Sequence, residues 1–193
     1  MIDEIKAFLL KYNSDISHDS ISKFCALTRD VEFLKGQPLS KQGTIPTKFY
    51  IIKRGLIGNY LMNQQSHEFI NTIYRPGMAV GALSSLIKRE ASNSNYMCLM
   101  DCDLYEIDYY DFINLSLSRL DLMILRIKIL ESIHIRSEKR INELSLLDGS
   151  QRYLNLKQDI PDIETLLPQY QIAHYLNISA VQLSRIRKNL YSK

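Results

Sequence analysis

The spacing of apolar and polar positions changes twice along the chain. Residues 1–28 carry Ile5, Phe8, Leu9, Ile16, Ile21, Phe24 and Leu27 at mostly helical intervals, broken by Asn13 and Ser14. That pattern predicts two short helices. From Val31 to about Asp108, short β-prone runs take over, at 31–34, 49–52, 58–62, 69–73, 96–100 and 104–107. Six of the seven glycines (Gly36, Gly43, Gly55, Gly58, Gly77 and Gly81) fall in this stretch, mostly beside those runs. Short strands with regular glycine punctuation predict a compact antiparallel β-barrel or roll.

Beyond Tyr109 the period becomes helical again. Leu120, Met123, Ile127, Leu130, His134, Ser137, Ile141 and Leu144 alternate spacings of three and four, as at coiled-coil a and d positions. Leu122, Ile124, Leu125, Ile129 and Ile133 add apolar surface on other sides through the first half, so burial from several directions is expected. A core helix of a monomer would satisfy part of this pattern. A dimer satisfies more, because the seam continues after the other faces turn polar. The expected interface is Leu120, Met123, Ile127, Leu130, His134 and Ile141, with His134 and Ser137 as polar interruptions that can set register. Residues 146–149 read as a hinge, with Asp148, Gly149 and Ser150 forming a turn. A helix at 152–157 follows, broken at 159–162. The predicted division is 1–114, 115–147 and 148–193.

The last twenty-six residues are the most informative. Pro168 suits a first helical position, and Ile172, Ala173 and Leu176 follow at helical spacing. Asn177 suits a left-handed helix exit. Ser179 and Gln182 can form a capping box at the start of a second helix. In that helix Leu183, Ile186 and Leu190 make an apolar stripe, while Val181, Ser184, Arg185 and Lys188 line another side. Two short helices around a tight break, the second basic on one side, fit helix-turn-helix DNA recognition. A solvated surface helix with cations near its C-terminus is the alternative.

Charge sharpens this picture. The net charge is +3, and residues 151–193 hold six Lys or Arg against three acids, which accounts for the whole excess. From Thr165 onward there are four basic residues and no acid. Such a patch can release counterions from DNA, but its size suggests that two copies are needed for useful affinity. With 46% hydrophobic and 23% charged residues, the composition is that of an ordinary folded protein. No run is long enough to span a membrane, the N-terminus lacks a signal-peptide pattern, and Cys25, Cys98 and Cys102 do not form a disulfide framework. A cytoplasmic location is expected.

An N-terminal roll, a long helix and a C-terminal helix pair, in that order, resemble the Crp/Fnr family of bacterial transcription regulators. Phe33, Lys35, Gly36, Leu39 and Gly43 are similar to the first roll strands and turn. Residues 49–52 with Gly55 are similar to the next strand and turn, and Tyr74, Pro76, Gly77 and Gly81 to the approach to the effector cassette. Ala173, Leu176, Leu183, Ser184, Arg185, Ile186 and Arg187 resemble the helix-turn-helix signature of the branch common in Bacteroidetes-type bacteria. The resemblance implies an α+β fold: a double-stranded β-roll like a cyclic nucleotide-binding domain, a central dimerisation helix, and a C-terminal helix-turn-helix. The last would be winged-helix-like with its wing absent or reduced. It also implies a homodimer on double-stranded operator or promoter DNA, with RNA polymerase and a small-molecule effector as further partners and no membrane.

The departures narrow these expectations. Ala82 stands where cyclic-nucleotide binders carry a ribose-holding Glu, and Ser92 stands at or near the place of their phosphate-holding Arg. Arg89 is close but off register. Each lost partner would cost about 1–3 kcal/mol, so binding of cyclic AMP in the usual way is not expected. The effector-pocket candidates are Gly81, Ala82, Arg89, Ser92, Asn93, Asn95 and Tyr96. Cys25 is isolated, which fails the four-thiolate requirement of an iron–sulfur cluster, and no cofactor or metal is expected. Val181 replaces a common base-reading Glu; it cannot accept from a cytosine amino group but can pack on a thymine methyl. Candidate DNA contacts are Gln169, Tyr170, Ser179, Val181, Gln182, Ser184, Arg185 and Lys188.

A metal enzyme of cupin type would need clustered ligands, whereas His18, His67, His134 and His174 fall on four different predicted elements. No phosphate loop or nucleophile motif is present. An enzyme is not expected. The rival is a ligand-binding or scaffold roll with vestigial DNA binding.

Overall fold

The computed structural model describes residues 2–62 and 68–191, so His67 lies outside the described residues. Helices α1 (Ile2–Tyr12) and α2 (His18–Ala26) open the chain. The Ser17 hydroxyl caps α2 by accepting from the Ser20 N–H. Ser17 and Ser20 are in turn tied to the first turn of the long helix that follows the roll (Leu120–Leu146). Asp121 accepts from the Ser17 N–H, the Ser17 hydroxyl and the Ser20 hydroxyl at 3.0, 2.7 and 2.8 Å.

Eight strands follow: β1 (Thr28–Phe33), β2 (Pro38–Ser40), β3 (Lys48–Arg54), β4 (Ile57–Met62), β5 (Glu68–Tyr74), β6 (Ala79–Val80), β7 (Asn95–Cys98) and β8 (Cys102–Asp108). They form two antiparallel four-stranded sheets, ordered β1-β8-β3-β6 and β2-β7-β4-β5. The six predicted runs each lie in or across one of these strands. Sequence reading missed β2 and β6, three and two residues long, because alternation needs more positions than that to register. It also missed α3 (Leu83–Lys88), a six-residue helix between β6 and β7. The β3–β4 turn depends on Gly55, whose φ is +100°. A Cβ there would stand 2.5 Å from Cys102 Sγ and 2.7 Å from the Asp101 carbonyl oxygen.

After the roll, Asp108 caps α4 (Tyr109–Leu117), accepting from the Tyr110 and Asp111 N–H groups at 2.9 and 3.2 Å. The chain breaks at Ser118 and Arg119 before α5 (Leu120–Leu146), 27 residues and about 40 Å long. The boundary expected at 114 therefore falls inside α4. Four helices complete the described chain: α6 (Gly149–Asp159), α7 (Ile163–Leu166), α8 (Gln169–Leu176) and α9 (Ala180–Tyr191). Helix α6 starts three residues earlier than its apolar pattern suggested. Asp148 and Gln151 close a capping box there, so the expected turn at 148–150 is the first turn of a helix.

Apolar side chains gather in three clusters. One joins α1, α2, α4 and the start of α5 to β3 and β8 through Ile5, Leu9, Phe24, Ile107, Phe112, Leu122 and Leu125. A second fills the roll between its sheets, around Ile52, Ile57, Val80, Cys98 and Leu104. The third joins Leu56, Tyr60, Ile70, Ile73 and Leu99 of the roll to Tyr153, Leu156, Ile163, Ile172, Leu176 and Leu183. The C-terminal helices thus share a core with the outer side of the second sheet. Sequence periodicity shows which faces are apolar, not which faces meet.

Candidate functional site

The α8–α9 pair follows local chemistry closely. Pro168 is the N-cap of α8, one position before the place its sequence suggested, with φ −66° and ψ 152°. Asn177 ends α8 in the left-handed region at φ 52° and ψ 48°. Ser179 and Gln182 then exchange hydrogen bonds: the Ser179 N–H donates to Gln182 Oε1 at 2.8 Å, and the Gln182 N–H donates to Ser179 Oγ at 3.1 Å. Leu183 is fully buried and Ile186 packs beside it. Leu190 departs from the expected stripe and is exposed.

Gln169, Tyr170, Ser179, Val181, Gln182, Ser184, Arg185 and Lys188 are all exposed. Four of them, Val181, Ser184, Arg185 and Lys188, share one side of α9 at helical spacing. Arg187 points elsewhere. It pairs with Glu164 at 2.7 Å, and Lys157 reaches the same carboxylate at 3.0 Å. Burial raises the Glu164 pKa, but the Tyr153 hydroxyl, Lys157 and Arg187 together hold it below its ordinary value. Of the basic residues counted in sequence, Arg187 serves the internal packing of the helix pair and Arg185 and Lys188 face outward.

Helix α5 bears an apolar surface on the outside of the molecule. Leu120, Ile127 and Ile141 are exposed at 76%, 48% and 62%, with Ile124, Ile135 and Leu144 also exposed. Of the other expected interface residues, His134 is exposed, while Met123 and Leu130 are half-buried.

A cavity of about 260 Å³ lies between α5 and the roll. Phe49, Tyr74, Tyr96, Tyr109 and Phe112 line it, with Asn59, Asn71 and Thr72 from β4 and β5. Helix α5 contributes Arg126, Ile129, Leu130, Ile133, Arg136 and Ser137. The Arg136 guanidinium lies 5.4 Å from the Tyr74 ring centre. Burial pushes the Tyr74 and Tyr96 hydroxyls above their ordinary range, so both are held protonated. On the β4 wall, Asn59 Nδ2 donates to Ser94 Oγ at 2.8 Å.

Only Gly81 and Tyr96 among the expected effector residues line this cavity. Ala82 is buried as the N-cap of α3, with no side-chain cap bond. Ser92 is buried and spends its hydroxyl on the Ser94 carbonyl at 2.8 Å. Arg89 closes α3 at φ 59° and stacks on the Tyr110 ring, 4.5 Å from its centre. Asn93 is exposed, and Asn95 Oδ1 accepts from the Gln42 N–H at 2.8 Å. Proximity in sequence to the cassette placed these residues together. The polar walls of the cavity come instead from the neighbouring strands β4 and β5 and from α5, which lies more than fifty residues beyond Asn71 and Thr72 in the chain.

Sequence reading also missed Arg140. Its Nε donates to the Asn71 carbonyl at 2.9 Å, its Nη2 donates to the Tyr175 carbonyl, and its guanidinium stacks 4.1 Å from the Tyr175 ring centre. One side chain thereby joins α5, β5 and α8. No local pattern marks such a residue, since both partners, Asn71 and Tyr175, are distant in sequence.

Cys98 and Cys102 are buried, and the Cys102 thiol donates to the Met100 carbonyl at 3.1 Å. The hydrogen bond between the two thiols, with burial, pushes Cys98 far above the ordinary thiol range. Among the described residues, no three His, Cys, Asp or Glu side chains form a metal-ligand group, and no helix is long and apolar enough to cross a membrane.

Residues 30–119 match the family model for the cyclic nucleotide-binding domain. Comparison with curated proteins gives no significant match. Several solved structures share the fold over most of their length. CLP from Xanthomonas campestris, described as a c-di-GMP responsive global regulator, is 17% identical, with a TM-score of 0.69 over 91% of this chain and 92% of its own. FixK2 from Bradyrhizobium japonicum is 11% identical, with a TM-score of 0.72 over 86% of this chain and 85% of its own. The catabolite activator protein of Thermus thermophilus is 14% identical, with a TM-score of 0.58 over 96% of this chain and 87% of its own. Residues 30–119 thus resemble the cyclic nucleotide-binding domain, and the chain shares its fold with these solved structures and with that of a putative Crp/Fnr-family transcription regulator from Eubacterium rectale.

Proposed function

We propose that this chain is a sequence-specific DNA-binding transcription regulator of the Crp/Fnr type, acting as a homodimer in the cytoplasm. The observation that carries the reading is α9: Leu183 is fully buried behind the Asn177 turn, and Val181, Ser184, Arg185 and Lys188 stand exposed on the opposite side. A helix anchored on one side and polar and basic on the other is suited to a major groove. Pairing through the exposed apolar residues of α5 would present two such helices to successive grooves, roughly 34 Å apart. Arg185 is assigned to base reading, by bidentate contact with guanine, and Val181 to a thymine methyl. RNA polymerase is a further partner in this reading, and three divisions near 1–114, 115–147 and 148–193 perform sensing, pairing and DNA contact.

The roll does not take cyclic AMP in the usual way in this reading. Ala82 offers no carboxylate to a ribose, and Ser92 offers no cation and has its hydroxyl committed to Ser94. The reading includes neither an iron–sulfur cluster nor catalysis.

A gel-shift titration against the DNA upstream of the chain's own gene tests the proposal. Saturable binding that weakens as salt rises is expected. Absence of binding at low salt overturns it and leaves a ligand-binding roll. Calorimetry with cyclic AMP should show no binding heat, and micromolar affinity would refute the reading of Ala82 and Ser92.

A further inference from the structure

We infer that Gln182 selects guanine in the DNA half-site, acting as a hydrogen-bond donor only, and does not read adenine. The inference rests on α9 being the DNA-contacting helix and names one base that this helix requires. A glutamine amide carries an acceptor oxygen and a donor NH2 group. With both ends free it matches adenine, accepting from N6 and donating to N7. Here the two ends are not equally free. The Ser179 N–H donates to Gln182 Oε1 at 2.8 Å, and the Gln182 N–H donates to Ser179 Oγ at 3.1 Å. A backbone N–H needs an acceptor, so it is the amide oxygen that faces Ser179, and Nε2 is the end left for a partner outside the chain.

The contact with adenine needs Oε1 and Nε2 side by side along the base edge. The cap turns Oε1 back to the backbone instead. Releasing it would break the capping box and leave the Ser179 N–H without its partner. The turn that carries Ser179 is itself held: Asn177 sets the left-handed exit of α8, and Leu183, next to Gln182, is fully buried. Base choice at Gln182 is therefore coupled to the local fold of the first turn of α9. Gln182 is exposed and lies three residues before Arg185, so the two are neighbours on the helix surface. The N-terminal residues of a recognition helix are the ones that meet base edges. Guanine presents two adjacent acceptors, O6 and N7, to the two hydrogens of Nε2, whereas thymine presents O4 alone beside its methyl group. The amino groups of adenine and cytosine present hydrogens, which a donor repels. Arg185 is likewise a donor only. Gln182 and Arg185 together form a pair of donors that calls for guanine at both of the positions they read.

The test enriches a randomised duplex library with the full chain, then repeats the enrichment with Gln182→Glu. Glutamate keeps an oxygen for the Ser179 N–H but has no NH2 group to donate. The two motifs should differ at one base pair in each half-site, and the parent should select G·C there. In titrations, the parent should bind that G·C duplex about tenfold more tightly than its A·T counterpart, the scale of one good side-chain contact to a base. Gln182→Glu should lose the ratio. Ser179→Pro removes the N–H that holds Oε1, and should shift the ratio towards A·T. Circular dichroism and thermal midpoints check that each variant is folded, and Gln182→Glu decides alone if Ser179→Pro unfolds. Identical motifs for the parent and Gln182→Glu, or an A·T pair at the sensitive position, would overturn the inference while leaving α9 as the DNA reader. If the parent enriches no sequence, the DNA-binding reading falls and this inference falls with it.

Discussion

Gln171 in α8 donates a hydrogen bond from Nε2 to the Tyr60 hydroxyl in β4 at 3.1 Å, inside the packing between the roll and the C-terminal helices. Both side chains are buried, and burial pushes the Tyr60 phenol up to about 12, so it stays neutral at any working pH. The bond is a direct polar link between the sheet that bears the cavity and the helix that precedes α9.

Tyr60→Phe removes the acceptor and leaves the Gln171 amide buried. A loss of about 1–3 kcal/mol is expected from such an unpaired group. The urea midpoint should fall, and amide exchange should accelerate in α8 more than in α1. An unchanged exchange rate in α8 would show that the link does not hold the helices to the roll.

Gly55→Ala and Gly36→Ala separate backbone strain from steric conflict. Both glycines have positive φ, +100° and +82°, but an added Cβ meets Cys102 and Asp101 at position 55 and nothing within 4 Å at position 36. Gly36→Ala should cost about 1 kcal/mol from the conformation alone, and Gly55→Ala substantially more. Thermal midpoints of the two variants give the comparison, and equal losses would contradict the crowding at the β3–β4 turn.

Asp121 supplies a pH dependence. Burial opposes its ionisation, but donors from Ser17, Ser20 and Leu122 outweigh that and hold its pKa at about 2, below the ordinary 3.8. A lowered carboxyl pKa stabilises the folded state above the unfolded value, and that stabilisation is lost as pH falls through the folded value. Stability should therefore decline between about pH 4 and pH 2. Asp121→Asn should be less stable at pH 6 and show a shallower decline. Denaturant midpoints across that range measure it.

Ile127→Glu places a charge within the exposed apolar surface of α5, where Ile127 is 48% exposed and supports no internal core. If two copies pair there, sedimentation should shift from dimer to monomer with little change in secondary structure. A variant that sediments as the parent does would remove α5 from the interface.

Arg185 and Arg187 differ in orientation although they are two residues apart. Arg185→Ala should abolish discrimination between the operator and scrambled DNA, with little change in melting temperature. Arg187→Ala should instead lower stability, because it breaks the ion pair with Glu164. Discrimination lost only in the Arg187 variant would reverse the assignment.

The elements themselves were legible in the sequence wherever a local interaction creates them. The left-handed exit at Asn177, the Ser179–Gln182 capping box and the heptad-like spacing of α5 need only near neighbours. Pro168 was displaced by one position and Leu190 was misassigned, both at helix ends where local rules are least sharp. The cavity was not legible. Sequence proximity favoured Arg89, Asn93 and Asn95, while Asn71, Arg126 and Arg136 drew no notice because each looks like an ordinary surface residue in its own element.

By itself the sequence determined the order of roll, long helix and helix pair, and the basic character of the α9 face, since periodicity and capping act over a few residues. Tertiary structure alone decided that Arg187 turns inward while Arg185 does not. It also decided that Arg140 ties α5, β5 and α8 together, and that Arg126 and Arg136 of α5 line the cavity beside the roll. Those outcomes depend on which surfaces meet across long stretches of chain. Apolar faces are largely interchangeable in sequence, and only packing selects among them.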